Sequence, residues 1–283
     1  METMLGKTCL ITGATSGIGE VTAREIARMG ATVIIVGRSL QKCQSTVASI
    51  QQDTGNPAVS FIQTDLSAIS QIHSLVKKFK EQHIRLDILV NNAGGFFMAR
   101  TLTTDGYEMT FALNHLSYFM LTLLLLDLLK SSAPARIVNV ASDSHMNEHL
   151  NFDDLQFNRM YNPVHAYGRS KLANVLFTYE LARRLTDSGV TANALHPGAV
   201  ATNIWNRPMP WLKFLMEPLM RRVAITPQEG AKTSIYLATS PEVEGVTGKY
   251  FVKCKPRQSN PASYDVTAAK RLWEISLKMV NLE

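Results

Sequence analysis

The sequence predicts an α/β fold in which helices cover both faces of a parallel sheet. Short runs rich in Val, Ile and Leu alternate with helix-period segments over most of the chain, which is typical of parallel strands joined by helical crossovers. The runs are nearly continuously apolar, as expected for strands buried on both faces. The predicted strands are 8–12, 32–36, 59–63, 88–91, 136–141, 191–195 and 249–252.

Apolar positions at helical spacing fill the segments between these strands. A helix is also expected from Pro227, because Thr226 is a suitable N-cap, proline suits the first helical position and Glu229 lies nearby. The predicted helices are 17–29, 40–52, 69–81, 106–129, 165–186, one from 227 and one from about 262. This alternation of strands and helices predicts a doubly wound sheet.

Composition favours one domain over residues 1–283, because 46% of the residues are hydrophobic and no repeat or linker divides the chain. The net charge of +6 comes from scattered Lys and Arg residues, which argues against nucleic-acid binding. Three cysteines without metal-type spacing are expected to be reduced thiols, and the histidines suggest no metal site. The start of the chain leaves no room for a signal peptide, so we expect a cytoplasmic protein.

A glycine-rich segment follows the first strand and opens the first helix. In that context glycines let the backbone approach a pyrophosphate, while the positive end of the helix stabilises its charge. A purely structural turn is the alternative. The predicted dinucleotide-binding residues of this segment are Gly13, Thr15, Ser16, Gly17, Ile18 and Gly19.

The end of the second strand predicts which nicotinamide cofactor binds. An acid at this point accepts hydrogen bonds from the adenosine ribose. The sequence has Gly37, Arg38 and Ser39 there instead, and Arg38 suits a 2′-phosphate. We therefore predict NADP(H), the alternative being that Arg38 is a solvated surface residue.

Two further strand ends supply candidate cofactor contacts. Asp65, followed by Leu66, ends the third strand and either accepts a hydrogen bond from the adenine amino group or caps the next helix. Asn92, Ala93 and Gly94 follow the fourth strand, where small residues suit an adenine ribose and a tight structural turn fits equally well.

Tyr167 and Lys171 are four residues apart on a predicted helix, so a phenol and an ammonium project from one face. A nearby positive charge lowers the pKa of a phenol by roughly 1 to 3 units. This spacing is suited to proton transfer at a carbonyl oxygen. On its own, the pair also fits a helix surface.

Five motifs follow one another along the chain: Thr12-Gly13-x-x-x-Gly17-x-Gly19, Asn91-Asn92-Ala93-Gly94, Ser142 after the fifth strand, Tyr167-x-x-x-Lys171 and His196-Pro197-Gly198. Together they resemble those of the short-chain dehydrogenase/reductase family, which has a single-domain Rossmann-type fold. Further segments look like the branch of retinol dehydrogenases and related carbonyl reductases, namely Gly37-Arg38, residues 111–116, residues 226–231 and the tail Arg271-Leu272-Trp273.

The resemblance implies roles for four catalytic residues. Tyr167 would give its proton to the substrate oxygen, Lys171 would support it and hold the nicotinamide ribose, and Ser142 would donate a hydrogen bond to the same oxygen. Ser142 is preferred to Ser144 because it directly follows the strand. Asn114 would hold a water that passes protons to Lys171, or would be a core amide that kinks its helix.

The resemblance also places Pro197, Gly198, Val200 and Thr202 against the nicotinamide and a phosphate, and a substrate lid at about 200–224. The aromatic and methionine residues of the lid indicate a hydrophobic small-molecule substrate, and equally suit peripheral membrane contact. Family members commonly pair through the helices at 106–129 and 165–186, so a homo-oligomer is a further expectation.

The predicted function is an NADP(H)-dependent oxidoreductase that interconverts alcohol and carbonyl groups on a hydrophobic, retinal-like or other aldehyde or ketone. One alternative is a double-bond reductase similar to protochlorophyllide reductase, which shares the Tyr-x-x-x-Lys motif. Another is a catalytically silent NADPH-binding regulatory module, which the presence of all four catalytic residues disfavours.

Overall fold

A computed structural model describes residues 3–198 and 225–282. In these ranges it forms one sheet with the strand order β3-β2-β1-β4-β5-β6-β7-β8. All neighbours are parallel except β7 and β8, which pair antiparallel. The strands are β1 (Thr8–Thr12), β2 (Thr32–Gly37), β3 (Val59–Gln63), β4 (Ile88–Asn91), β5 (Ala135–Val140), β6 (Val190–His196), β7 (Tyr250–Val252) and β8 (Lys255–Arg257).

Helices lie on both faces of this sheet, which confirms the predicted doubly wound α/β fold. One apolar cluster joins α1, α2 and α8 to one face, and another joins α3, α5, α7 and α9 to the other. The helices are α1 (Gly17–Arg28), α2 (Leu40–Thr54), α3 (Ile69–Gln82), α4 (Met109–Phe111), α5 (Ser117–Leu124), α6 (Leu126–Ser131), α7 (Pro163–Arg184), α8 (Pro227–Thr239) and α9 (Val266–Met279).

The predicted helix at 106–129 is divided in the structure. It begins at Met109, because the Glu108 carboxylate caps it by accepting from the backbone N–H groups of Thr110 and Phe111, both at 2.7 Å. A π-helical turn at Ala112–Leu116 follows α4, and Leu125 separates α5 from α6. The π turn contains Asn114, so the irregularity lies at a predicted site residue.

The C-terminal helix α9 covers part of α5 and α7. The Trp273 ring lies 5.0 Å from that of Phe119 and 5.8 Å from that of Phe177, measured between centroids. The His115 ring, in the π turn, is 3.0 Å from the Ser276 hydroxyl. This face of α5 and α7 is internal to the chain, so contact between two copies would need other parts of these two helices.

No helix in the described ranges has the length and apolar character needed to span a membrane.

Candidate active site

A cleft lies outside the carboxyl ends of the strands, beside the point where strand order reverses between β1 and β4. Ligands of open parallel α/β sheets bind at this place, because the crossovers diverge there and leave a crevice. The cleft brings together twelve of the predicted cofactor-binding residues, namely Gly13, Thr15, Ser16, Gly17, Ile18, Gly19, Arg38, Asp65, Leu66, Asn92, Ala93 and Gly94.

Asn92 ties the glycine loop to the end of β4. Its Nδ2 donates to the carbonyl oxygens of Thr12 at 2.8 Å and Gly13 at 3.2 Å. A Cβ on Gly19 would lie only 2.4 Å from the same Nδ2, so a larger residue would separate the two segments. These contacts directly support the structural interpretation of Asn92, in which it holds a tight turn after β4.

The start of α1 presents free backbone donors to the cleft. Ser16 is the N-cap, yet its side chain accepts no hydrogen bond from the first turn. The first-turn N–H groups and the positive helix end are therefore available to an anion. A glycine loop of this shape fits the pyrophosphate of a dinucleotide.

Two cations line the end of the cleft beside β2. Arg38 and Lys42 are both exposed, and in the described ranges neither forms an ion pair. Lys42 lies in the first turn of α2, where its backbone N–H donates to the Ser39 hydroxyl at 3.4 Å. The sequence interpretation missed Lys42, although its spacing of four from Arg38 on a helix start was a usable signal.

Asp65 does not cap α3, whose N-cap is Ala68. Its Oδ1 instead accepts from the backbone N–H and the hydroxyl of Ser67, at 3.0 and 2.7 Å. The capping interpretation is therefore wrong, and Asp65 shapes the turn that leads into the helix. Asp65 and Leu66 line the cleft, as required for an adenine contact.

Ser142 and Tyr167 lie next to the cleft, beyond the lining residue Phe96. Ser142 directly follows β5; its hydroxyl accepts from the backbone N–H of Ser144 at 3.2 Å and donates to the Ser144 hydroxyl at 3.1 Å. Burial raises the pKa of Tyr167 to about 12, and the neighbouring Ser142 side chain lowers it only in part. Ser142 rather than Ser144 is therefore the serine that influences the phenol.

Lys171 lies one turn along α7 from Tyr167 and is only 3% exposed. Its Nζ donates to the Val140 carbonyl oxygen at 2.9 Å and is 5.6 Å from the Tyr167 ring centroid. Burial lowers the pKa of Lys171 to about 7. We predicted a lowered pKa for Tyr167, but it is raised, because desolvation of the phenol outweighs the neighbouring groups.

Asn114 links the π turn to Lys171. Its Oδ1 accepts from the Gly95 backbone N–H at 2.8 Å, and its Nδ2 donates to the Ser170 hydroxyl at 3.0 Å. A Cβ on Gly94 would lie 3.3 Å from Asn114 Oδ1 and 3.6 Å from Lys171 Nζ. Asn114 is thus fully buried in an irregular helix turn and also lies near Lys171.

Two phenylalanines between the cofactor loop and Tyr167 were not predicted. Phe96 and Phe97 line the cleft together with Met109 and Leu113. The Phe96 ring packs edge-on against Tyr167, with 5.7 Å between the centroids. Their position directly after Asn91-Asn92-Ala93-Gly94-Gly95 was the available signal.

The loop after β6 lies beside the serine loop. The ring Nδ1 of His196 accepts from the Asp143 backbone N–H at 3.2 Å, so the residue before Pro197 and Gly198 contacts the residue after Ser142. Val200, Thr202 and the predicted lid at 200–224 lie outside the described residues.

Comparison with known proteins shows which family the chain resembles. A family model described as short chain dehydrogenase matches residues 7–212. Human retinol dehydrogenase 14 is 45% identical over an alignment of 296 positions, which covers 99% of this chain and 88% of that protein. Human polyprenol dehydrogenase is 42% identical, with 98% of this chain and 86% of that protein covered.

Among solved structures, the Pseudomonas aeruginosa RhlG/NADP active-site complex superposes with a TM-score of 0.70 at 28% identity. The match covers 88% of this chain and 95% of that one.

Proposed function

This chain belongs to the short-chain dehydrogenase family and to its retinol dehydrogenase-like branch, and from that premise we propose that it is an NADP(H)-dependent oxidoreductase acting on isoprenoid alcohols and aldehydes. The family binds a nicotinamide dinucleotide, and the homologues support interconversion of alcohol and carbonyl groups. The observation that carries the proposal is that Ser142, Tyr167 and Lys171 lie together next to a cleft that the glycine loop lines, with Tyr167 against the lining residue Phe96.

The chain's own residues fit the cofactor. The open helix start of α1 suits the pyrophosphate, and the cleft carries Arg38 and Lys42 at the end of β2, where an NAD-specific site would carry an acid. Arg38 and Lys42 would hold the 2′-phosphate through charge-assisted hydrogen bonds, each worth roughly 1.5 to 3 kcal/mol. When bound, the nicotinamide ring gives or accepts the hydride.

Tyr167 is the proton donor in the direction of reduction. With a pKa of about 12 its phenol stays protonated at neutral pH, ready to give its proton to the substrate oxygen as the carbon is reduced. Ser142 donates a hydrogen bond to the same oxygen and stabilises its developing charge. The proton comes from Tyr167 alone, so the resulting phenolate must be reprotonated.

Lys171 is the source of that proton and of positive charge beside the phenolate. Its pKa of about 7 is far below that of Tyr167, so proton movement from the ammonium toward the phenolate is favourable. The Val140 carbonyl oxygen holds the ammonium, and Asn114 borders it through Gly94. In the direction of oxidation the proton moves the other way. Tyr167 takes up the proton of the substrate hydroxyl, and the neutral Lys171 amine accepts the proton from Tyr167.

The substrate class follows from the apolar lining and the relatives. Phe96, Phe97, Met109 and Leu113 form an apolar wall beside Tyr167. The two relatives, retinol dehydrogenase 14 and polyprenol dehydrogenase, are named for retinol and polyprenol, both isoprenoid alcohols. An apolar wall next to a few polar groups suits a long isoprenoid chain with one reactive end.

An NADPH-oxidation screen tests the proposal. Retinal and a polyprenal should be reduced faster than medium-chain straight aldehydes, steroid ketones and quinones, and NADPH should be preferred to NADH. Failure to reduce any isoprenoid aldehyde would overturn the substrate class, while equal rates with NADPH and NADH would overturn the cofactor assignment.

A further inference from the structure

We propose that Asn260 and His145 are positioning residues for Ser142, so that the segment following the last parallel strand holds the serine in place. The inference rests on the proposed function, in which Ser142 contacts the substrate oxygen. Ser142 lies at the start of a loop that contains only a single 3-10 turn, Asp143–His145, so regular structure does not fix its position. Contacts from a distant part of the chain do so instead.

His145 holds the Ser142 backbone. The ring is fully buried, with its Nδ1 at 2.6 Å from the Ser142 carbonyl oxygen and its Nε2 at 3.2 Å from the Asn260 backbone nitrogen. A backbone N–H can only donate, so Nε2 is the acceptor and Nδ1 carries the proton that is donated to Ser142. Burial also lowers the pKa of His145, which favours the neutral ring that this pattern requires.

Asn260 uses all of its side-chain hydrogen-bonding groups on this loop and its own turn. It is 2% exposed, and its Nδ2 donates to the carbonyl oxygens of His145 and Glu148, both at 2.7 Å. Its Oδ1 accepts from the Ala262 backbone N–H at 2.8 Å, at the start of a 3-10 turn. Asn260 therefore joins two points of the loop, His145 and Glu148, to the C-terminal part of the chain.

The residue after Ser142 is held in the same way. The Asp143 carboxylate accepts from the Tyr250 hydroxyl at 2.7 Å and from the Arg257 guanidinium at 3.2 Å. Asp143 and His145, which follow Ser142, are therefore both hydrogen-bonded to β7, β8 or the turn after them. A shift of this segment would move the Ser142 hydroxyl relative to Tyr167.

Asn260→Ala tests the proposal, with Asn56→Ala as a matched control. Asn56 makes the same set of bonds, from Nδ2 to the carbonyl oxygens of Ala27 and Ala31, both at 2.9 Å, and from the Ala58 N–H to Oδ1 at 2.8 Å. It precedes β3, at the end of that strand opposite to the one that borders the cleft. We expect Asn260→Ala to lower kcat about 10- to 100-fold, since misplacement by 1 Å costs on the order of 10². The Kd for NADPH should stay within about twofold, and Asn56→Ala should leave kcat unchanged.

A double variant shows whether Asn260 acts through Ser142. If it does, adding Asn260→Ala to Ser142→Ala should cause no further loss of kcat, because the group being positioned is already absent. Losses that multiply, or a wild-type kcat for Asn260→Ala alone, would overturn the proposal.

Replacement of His145 separates the hydrogen bond from mere space filling. Asparagine and leucine have nearly the same shape, but only asparagine can donate to the Ser142 carbonyl oxygen. His145→Asn should therefore retain about tenfold more kcat than His145→Leu. Equal values for the two variants would contradict the positioning role.

A readout independent of turnover distinguishes this inference from the proposed function. NMR of the full-length protein should show the His145 ring protonated at Nδ1, and Asn260→Ala should shift the Ser142 carbonyl signal. If the wild type reduces no carbonyl compound, the proposed function fails and these spectra alone decide the positioning. An unshifted Ser142 signal, or protonation at Nε2, would refute it.

Discussion

Arg38 and Lys171 are the cations of the two halves of the candidate site, and they differ in burial. Arg38 is exposed at the end of β2, whereas Lys171, on α7, is 3% exposed and donates to a carbonyl oxygen at the end of β5. Arg38 forms no ion pair in the described ranges and is therefore available to a phosphate. Burial brings the pKa of Lys171 to about 7, so that it exchanges protons near neutral pH.

This contrast separates binding from chemistry. The half with Arg38 consists of short local segments, namely the glycine loop, the start of α2 and the residues after β3 and β4, and it needs only charge and backbone donors. The half with Lys171 depends on burial by distant segments, because burial is the main cause of the pKa shifts of Tyr167 and Lys171. Substitutions in the first half should change which cofactor binds, and those in the second half should change turnover or its pH dependence.

The largest effect is expected from Tyr167→Phe. Removing the phenolic proton should lower turnover by about 10² to 10⁴, because no other donor replaces it at the substrate oxygen. Fluorescence titration should show unchanged NADPH binding. Tyr236→Phe, on α8 and bonded to Glu242, is the control and should retain full activity. Normal turnover by Tyr167→Phe would refute the assignment of the acid.

Arg38→Asp should reverse the cofactor preference. Loss of a charge-assisted hydrogen bond worth roughly 1.5 to 3 kcal/mol corresponds to about 10- to 150-fold in the ratio of kcat/KM values for NADPH and NADH. The new carboxylate would also repel the 2′-phosphate and accept from the ribose. Lys77→Asp, an exposed change of equal charge on α3, should leave the ratio as it was. An unchanged ratio in Arg38→Asp would show that the arginine is only a surface residue.

A smaller loss is expected from Gly168→Ala, which tests the contact between α7 and the serine loop. A Cβ at this glycine would lie 2.7 Å from the Ser144 carbonyl oxygen and 2.7 Å from Glu148 Cγ, so the loop must move away from Tyr167. We expect about a tenfold fall in kcat with little change in NADPH affinity. Alanine stabilises an isolated helix relative to glycine by about 1 kcal/mol. A more stable variant with full activity would therefore show that the loop tolerates the methyl group.

The smallest effect concerns the stability of Lys171→Met at different pH values. Between the folded pKa of about 7 and the ordinary value of 10.5, the unfolded chain binds more protons at Lys171 than the native one. The stability of the wild type therefore rises with pH across this interval through this group, and the methionine variant lacks that rise. The Tm of Lys171→Met minus the Tm of the wild type should therefore be larger at pH 6 than at pH 9, by at least about 2–4 °C. A difference independent of pH would mean that the burial of Lys171 does not lower its pKa.

Most strands of the sheet could be predicted from the local pattern of apolar residues in the sequence. Strands β1, β3 and β4 have the predicted bounds. Strands β1 and β4 are buried throughout, as expected of parallel strands inside a sheet, whereas β3 lies at the edge and is only partly buried. Strand β8, Lys255–Arg257, was missed because its three residues are exposed and carry no apolar signal. The π turn at Ala112–Leu116 was also missed, since the helical spacing of apolar residues continues through it.

The sequence by itself determined the order of the strands and helices, the glycine loop, the Tyr167 and Lys171 pair and the basic end of β2, because each depends on residues a few positions apart. Only the tertiary structure decided the direction of the Tyr167 pKa, the structural role of Asn92 and the link from Asn260 through His145 to Ser142. Burial and contacts between residues more than 70 positions apart arise from how the chain packs. They leave no regular spacing in the sequence.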